Sequence, residues 1–326
     1  MLSNLKNSYS AYKILNNLTD NEVLDFLDSY EYFGTGNETT KHLTDYYRVI
    51  HPLCTISSDV EKMYIPPAID NTKSVYNNQL LFEKKLVEYC KIKETDVLFD
   101  LGCGCGKIAL NINELSDAKV IGVNIDSDQI KKGNGVISNA NKADKVTLTV
   151  DDFNNLPLKY EDNSFDYVYC IQACTYMLDK KNIYKEVNRI LKKNGRFIQC
   201  MVVTKDEYFE AENLEHQRIL KKSMEVMGGV TIHTDAEILN ILNEANFTKI
   251  EMLNWNSSED TGAMIIQQIY DKYKRIRGFV KMLCRMRIFS RKMNVLIERL
   301  MDGSDELVMA HQMKILQINQ LFISTK

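Results

Sequence analysis

Residues 97–110 read VLFDLGCGCGKIAL, and the parsing of that stretch decides the fold. An apolar run leads to Asp100, a turn carries Gly102, Gly104 and Gly106, and an apolar-periodic segment starts at Ile108. The pattern is strand, tight turn, helix start. Glycine has no Cβ, so such a turn reaches positive φ and lets the backbone approach a ligand closely. The spacing is D-x-G-x-G-x-G, not the G-x-G-x-x-G of dinucleotide-binding turns. Downstream, Val120–Asn124 is a second buried strand with a polar tip. Val146–Val150 is a third, running into Asp151, Asp152 and Phe153, and Phe165–Ile171 is a fourth. Polar tips along one edge of a parallel sheet form a ligand crevice.

Further outward, strands and helices alternate from a helix over residues 79–91 to about residue 203, which predicts a parallel sheet covered on both faces. Gly195–Val203 is the fifth strand, entered through a turn at Lys193-Asn194-Gly195, and Phe247–Leu253 is the sixth. Ile315–Ser324 is the candidate for a seventh, antiparallel beside the sixth. That assignment leaves residues 255–314 inserted between neighbouring strands, and their apolar periodicity predicts helices. A second insertion, 204–231, follows strand five. Residues 1–50 read as amphipathic helices with a polar break at Gly34–Thr40, and 51–75, with Pro52, Pro66 and Pro67, as irregular. The expected division is an N-terminal helical segment, 1–78, and a domain, 79–326, whose two insertions cover the substrate. A packing or dimer element is the competing reading of the insertions.

The chain has 326 residues, 44% of them hydrophobic, enough for a sizeable core. A net charge of −3 argues against nucleic acid as a partner of the whole chain. Its eight cysteines form no C-x-x-C pair, which argues against zinc and for a reducing compartment. Cys103 and Cys105 read as small residues tolerated in the turn. No signal-peptide core or membrane-spanning run is legible, so a cytoplasmic protein is expected. Between Tyr270 and Arg299, ten lysines and arginines face only Asp271 and Glu298. Interleaved with Phe279, Met282, Met286 and Ile288, they read as an interfacial amphipathic segment, or else as a solvated basic face.

The glycine turn with its strand tips resembles the class I S-adenosylmethionine (SAM) methyltransferases, which are Rossmann-like. More narrowly, Gly122-Val123-Asn124 followed by Gln129-Ile130 resembles the G-x-N-x-x-x-x-Q-I of sterol methyltransferases. Glu215-His216-Gln217-Arg218-Ile219, and Glu225 ahead of Gly228-Gly229, resemble further motifs of that group. The resemblance implies SAM as cofactor and an α/β fold with a seven-stranded, mostly parallel sheet and helical lid insertions. It places Asp100, Gly102, Gly104 and Gly106 near the methionine end and Asn124 on the ribose, with Gln129 in the same pattern. Asp152 falls on the adenine amine, Phe153 on its ring, and Ile171 beside the cofactor at the end of strand four.

The chain also departs from that group. Gln172 stands where the family has a carboxylate and Tyr176 where it has a histidine, and the Y-E-x-G-W-G element is missing near Cys54–Met63. An amide cannot take a proton, so methylation of a side-chain alkene is disfavoured. A ring carbon beside a ketone is left open, with Tyr176 acting on the oxygen or enol. The resemblance thus implies direct SN2 transfer to a sterol or triterpenoid lipid, probed at the candidate catalytic residues Tyr176, His216, Glu225 and Gln172. Asp179 reads as an ordinary structural residue. Methylation of a polar small molecule or phospho-base, and a non-catalytic SAM-fold binding protein, are the alternatives. Homo-oligomerisation stays open.

Overall fold

The computed structural model describes residues 2–33, 40–55, 62–257 and 262–326. Most of the polar break at Gly34–Thr40 and most of the Cys54–Met63 stretch lie outside them. Strands β1 (Val97–Leu101), β2 (Lys119–Asn124), β3 (Val146–Val150), β4 (Phe165–Ile171), β5 (Leu191–Thr204), β6 (Thr248–Leu253) and β7 (Leu316–Thr325) make one sheet. Its order is β3-β2-β1-β4-β5-β7-β6. The first five strands are parallel, and β7 runs antiparallel between β5 and β6. The order reverses at β1 and β4, so the crevice opens between their carboxyl ends. The β7 pairing with β6 is the one expected from the sequence, and it pairs with β5 as well.

Helices α1 (Leu2–Asn17), α2 (Asp20–Tyr32) and α3 (Thr40–Thr55) precede the sheet, and α4 (Val75–Cys90) feeds β1. Helices α5 (Lys107–Ser116), α6 (Ser127–Asn139), α7 (Lys180–Ile190) and α9 (Asp235–Glu244) flank the sheet, and α8 (Leu214–Met227) follows β5. Helices α10 (Ala263–Arg285), α11 (Arg291–Met301) and α12 (Ser304–Gln312) fill the long insertion before β7. Buried apolar clusters lie on both faces of the sheet. Nine of the ten β7 positions are buried, as a strand covered on both faces and paired on both edges requires.

Two expectations need correction. Residues 51–55 are helical, with Pro52 inside α3. The apolar face Leu43, Tyr46, Ile50 and Leu53 is buried along α3, and that packing outweighs the cost of a missing N–H. Strand β5 begins at Leu191 rather than Gly195. The expected turn is absorbed as a register shift against β4, with Asn194 at positive φ.

Candidate functional site

The glycine turn leaves β1 and folds under the tip of β2, where the Gly102 and Cys103 amides both donate to the Val123 carbonyl at 3.0 and 2.9 Å. Gly102, Gly104 and Gly106 all have positive φ. Their surroundings differ. A Cβ on Gly102 would lie 2.4 Å from Ala173 Cβ, and one on Gly106 2.4 Å from the Leu148 side chain. One on Gly104 would meet only Gln129 Oε1, at 3.2 Å, so Gly104 faces the open cleft.

That cleft holds about 940 Å³ of empty space, its mouth included. Gly102, Gly104, Asn124, Gln129, Asp152 and Phe153 line it, together with Ile171, Gln172 and Tyr176. Asp126 caps α6 by accepting from the Asp128 and Gln129 amides and takes a further bond from Gln129 Nε2 at 3.1 Å, which holds Gln129 at the rim. Asp152 accepts from the Asn154 amide at 2.9 Å and from Thr40 Oγ1 at 3.4 Å. Asp100 and Gly106 lie beneath the lining. Burial pushes the Asp100 carboxyl up to about 7, with the Tyr169 hydroxyl pulling the other way. Apart from the Tyr169 hydroxyl beside the carboxyl, its buried Oδ2 meets no hydrogen-bond donor. A buried acid with an open acceptor below a glycine cradle is suited to a cationic ligand group.

The residues present fit SAM: Asp100 could face a cationic amino group beneath the glycine turn, Asn124 has one acceptor and one donor for ribose hydroxyls, and Asp152 has an acceptor for an amine. Phe153 is buried against the Gly102 backbone with a face for the base.

A second cavity, about 1270 Å³ with its mouth, adjoins the cleft and shares Tyr47, Met63, Gln172 and Tyr176 with it. Its walls come from α3, α8, α10, α11 and α12, with Ile50, Met224, Ile266, Tyr273, Leu300 and Leu307 representative. Its described lining contains no Lys, Arg, His, Asp or Glu. At the junction the Tyr47 and Tyr176 hydroxyls are hydrogen-bonded at 2.6 Å. Burial pushes Tyr47 up to about 12 and Tyr176 well above its ordinary value, so both stay protonated.

The candidate catalytic residues do not all meet. Tyr176 stands at the junction. Gln172 also reaches it, but its amide is engaged elsewhere: Oε1 accepts from the Ile65 amide, and Nε2 donates to the Ile65 and Ile318 carbonyls. It pins residues beside Ile65 to β4 and β7, from a backbone at φ 56°. His216 and Glu225 line neither cavity. The His216 Nδ1 accepts from the Glu210 amide at 3.1 Å, and Glu225 pairs with Lys222 at 2.9 Å and Arg299 at 3.6 Å. Asp179 caps α7. Sequence reasoning missed Tyr47. The Tyr46-Tyr47 doublet marks an aromatic stretch of α3 but not which ring turns to the cleft. It also missed Lys62, buried against Glu83 at 2.5 Å beside the glycine turn, for which no local signal exists.

Residues 92–254 match a family model described as a methyltransferase domain. A sterol 4-C-methyltransferase of Caenorhabditis elegans is 25% identical over 69% of this chain and 67% of its own length. A sterol 24-C-methyltransferase of Aspergillus fumigatus is 30% identical over 53% of this chain, and the match spans about half of that relative, 48%. Among solved structures, the cyclase SpnF superposes with a TM-score of 0.67 at 14% identity, covering 89% of this chain and 97% of that one, which shows the fold.

Proposed function

Given that the chain belongs to the methyltransferase-domain family, with SAM as its methyl donor, we propose that it methylates a bulky apolar ring lipid of the sterol or triterpenoid type. The observation that carries this reading is the uncharged cavity opening on the cofactor cleft through Tyr47, Met63, Gln172 and Tyr176. A phospho-base or polar amine would need charged partners there, and the described lining offers none. The names of the two sterol methyltransferase relatives point the same way.

Bound SAM supplies an electrophilic methyl group for in-line displacement. The chain's own part is to position and to exclude water. Gly104 leaves room for the cofactor, while Asn124, Asp152 and Phe153 orient its nucleoside. The insertions 204–231 and 255–314, with α1–α3, act as the cover of the apolar cavity. The protonated Tyr47–Tyr176 pair would donate to a ketone oxygen on the acceptor and stabilise the negative charge that builds there when the adjacent ring carbon gives up its proton to solvent; that charge is discharged, and the carbonyl re-forms, as the carbon takes the methyl group. Raised phenol pKa values suit that donor role and not proton abstraction. With Gln172 fully engaged by backbone partners and no carboxylate in its place, side-chain alkene methylation is not expected.

The test is incubation of the purified protein with methyl-labelled SAM and separate acceptors: a 3-keto sterol, a Δ24 sterol and phosphoethanolamine. Mass spectrometry is expected to place label on a ring carbon beside the oxygen. Label on the side chain would overturn the positional part, and turnover of phosphoethanolamine alone would overturn the lipid reading.

A further inference from the structure

Helix α10 has two unlike ends. Ile266, Tyr273 and Val280, spaced by sevens, are buried on its inner side, and Ile266, Ile269 and Tyr273 line the apolar cavity. Phe279, Met282 and Met286, spaced by three and four, lie along another side near its carboxyl end. They are 57%, 46% and 60% exposed, and Ile288 in the following turn is 56% exposed. A cluster of large exposed apolar side chains on one tip is uncommon on a surface that meets only water.

The charge around that tip has one sign. From Lys272 to Ile297 there is no aspartate or glutamate. Arg277 and Lys281 are neutralised across the helical hairpin by Glu298, at 2.8 and 2.7 Å. Arg285, Arg287 and Arg291 are exposed and have no carboxylate partner among the described residues. They alternate in sequence with Met282, Met286 and Ile288 rather than forming a separate stretch. Helix α1 extends the same surface: Tyr12 stacks on Phe289 with centroids 4.6 Å apart, and Tyr9, one turn earlier, is 69% exposed. Exposed apolar side chains interleaved with exposed arginines, with aromatic rings nearby, match the chemistry of an anionic lipid surface.

We infer that the α10–α11 hairpin tip docks on an anionic membrane leaflet, burying Phe279, Met282, Met286 and Ile288 among the acyl chains while Arg285, Arg287 and Arg291 meet lipid phosphates. Since α10 also walls the apolar cavity, the same helix joins the leaflet to the acceptor site. RNA would satisfy the arginines but leave the four apolar side chains in water, so a membrane is the occupant the surface favours.

The experiment is co-sedimentation of the full chain with sterol-free vesicles of phosphatidylcholine alone or with phosphatidylserine added. Binding is expected only with phosphatidylserine and weakens with salt. Each basic residue near an anionic leaflet is worth roughly 5-fold in affinity. The triple variant Arg285→Glu, Arg287→Glu, Arg291→Glu is therefore expected to lose at least about 100-fold. Phe279→Ser with Met286→Ser is expected to weaken binding and sharpen its salt dependence. All these positions are exposed, so SAM binding and melting temperature should match the parent and show that each variant is folded. A folded parent that stays in the supernatant with both vesicles overturns the proposal, as does a triple variant that sediments undiminished. Tighter binding of a short RNA through the same arginines would replace the membrane by nucleic acid. Because the vesicles contain no sterol, this result and the acceptor assay fail independently.

Discussion

Gly104 and Gly102 sit two residues apart and are expected to fail differently when given a side chain. At Gly104 the new atoms enter the cleft, so Gly104→Val should abolish SAM binding by calorimetry while costing the fold about 1–2 kcal/mol for a left-handed backbone. At Gly102 even alanine collides with Ala173 Cβ, so Gly102→Ala should lower the melting temperature first. Asp100 adds a pH dependence whose sign follows from its burial. Its folded value, about 7, lies above the ordinary 3.8, so the cofactor-free fold favours the protonated carboxyl. That contribution to stability is complete below the unfolded value and is lost as pH rises through about 7. A cationic ligand favours the ionised form, so SAM affinity should increase over the same range. Asp100→Asn is expected to flatten both trends, and a pH trend that survives it would remove Asp100 from the site. At the cavity junction, Tyr47→Phe and Tyr176→Phe should lower turnover while leaving SAM affinity unchanged.

Between the residue and the molecule stands the segment 62–68, which closes the glycine-turn end of the cleft and has no regular structure of its own. Glu83 of α4 accepts from Lys62 Nζ at 2.5 Å and from the Tyr64 hydroxyl at 2.7 Å, and Gln79 Nε2 donates to the Lys62 and Tyr64 carbonyls at 3.0 and 2.7 Å. Desolvation raises the Glu83 carboxyl, and the Lys62 ammonium opposes the rise. Lys62→Met would leave a buried charge unpaired and should cost about 3–5 kcal/mol in a denaturant titration. Adding Glu83→Leu should restore most of that loss. If Lys62→Met melts like the parent, the ion pair does not hold the segment. Nothing near Lys62 in sequence announces Glu83, just as nothing near Tyr47 announces Tyr176, 129 positions away. The strands, the glycine turn and Asp152-Phe153 were legible because each is a local pattern of apolar run and polar tip. Contacts that close the site join distant segments, and for them the one-dimensional pattern is silent. His216 and Glu225 show the reverse error, since a motif shared with a family did not bring them to the cleft.

At the scale of the whole molecule, helices from three separate stretches of chain, α3, α8 and the group α10–α12, meet the ends of the sheet around one apolar cavity. An acceptor filling that cavity should tie them together, so the melting temperature with SAM and lipid acceptor present is expected to exceed that with SAM alone. Equal melting temperatures would mean that the acceptor lies elsewhere. The sheet carries a constraint of another kind. Among the described residues, strand β6 pairs only with β7, and β5 has β7 on its outer edge, yet β7 follows both by more than sixty residues of sequence. A nascent chain leaving the ribosome thus presents five parallel strands with the β5 edge left raw, a sixth strand with no neighbour, and three helices whose floor is not yet made. For as long as residues 316–325 remain in the exit tunnel, each of those surfaces is open to chaperones and to other nascent chains. A chain stopped at residue 315 should collect in aggregates, and slowing translation ahead of Leu316 should lengthen the interval of risk without changing a single residue.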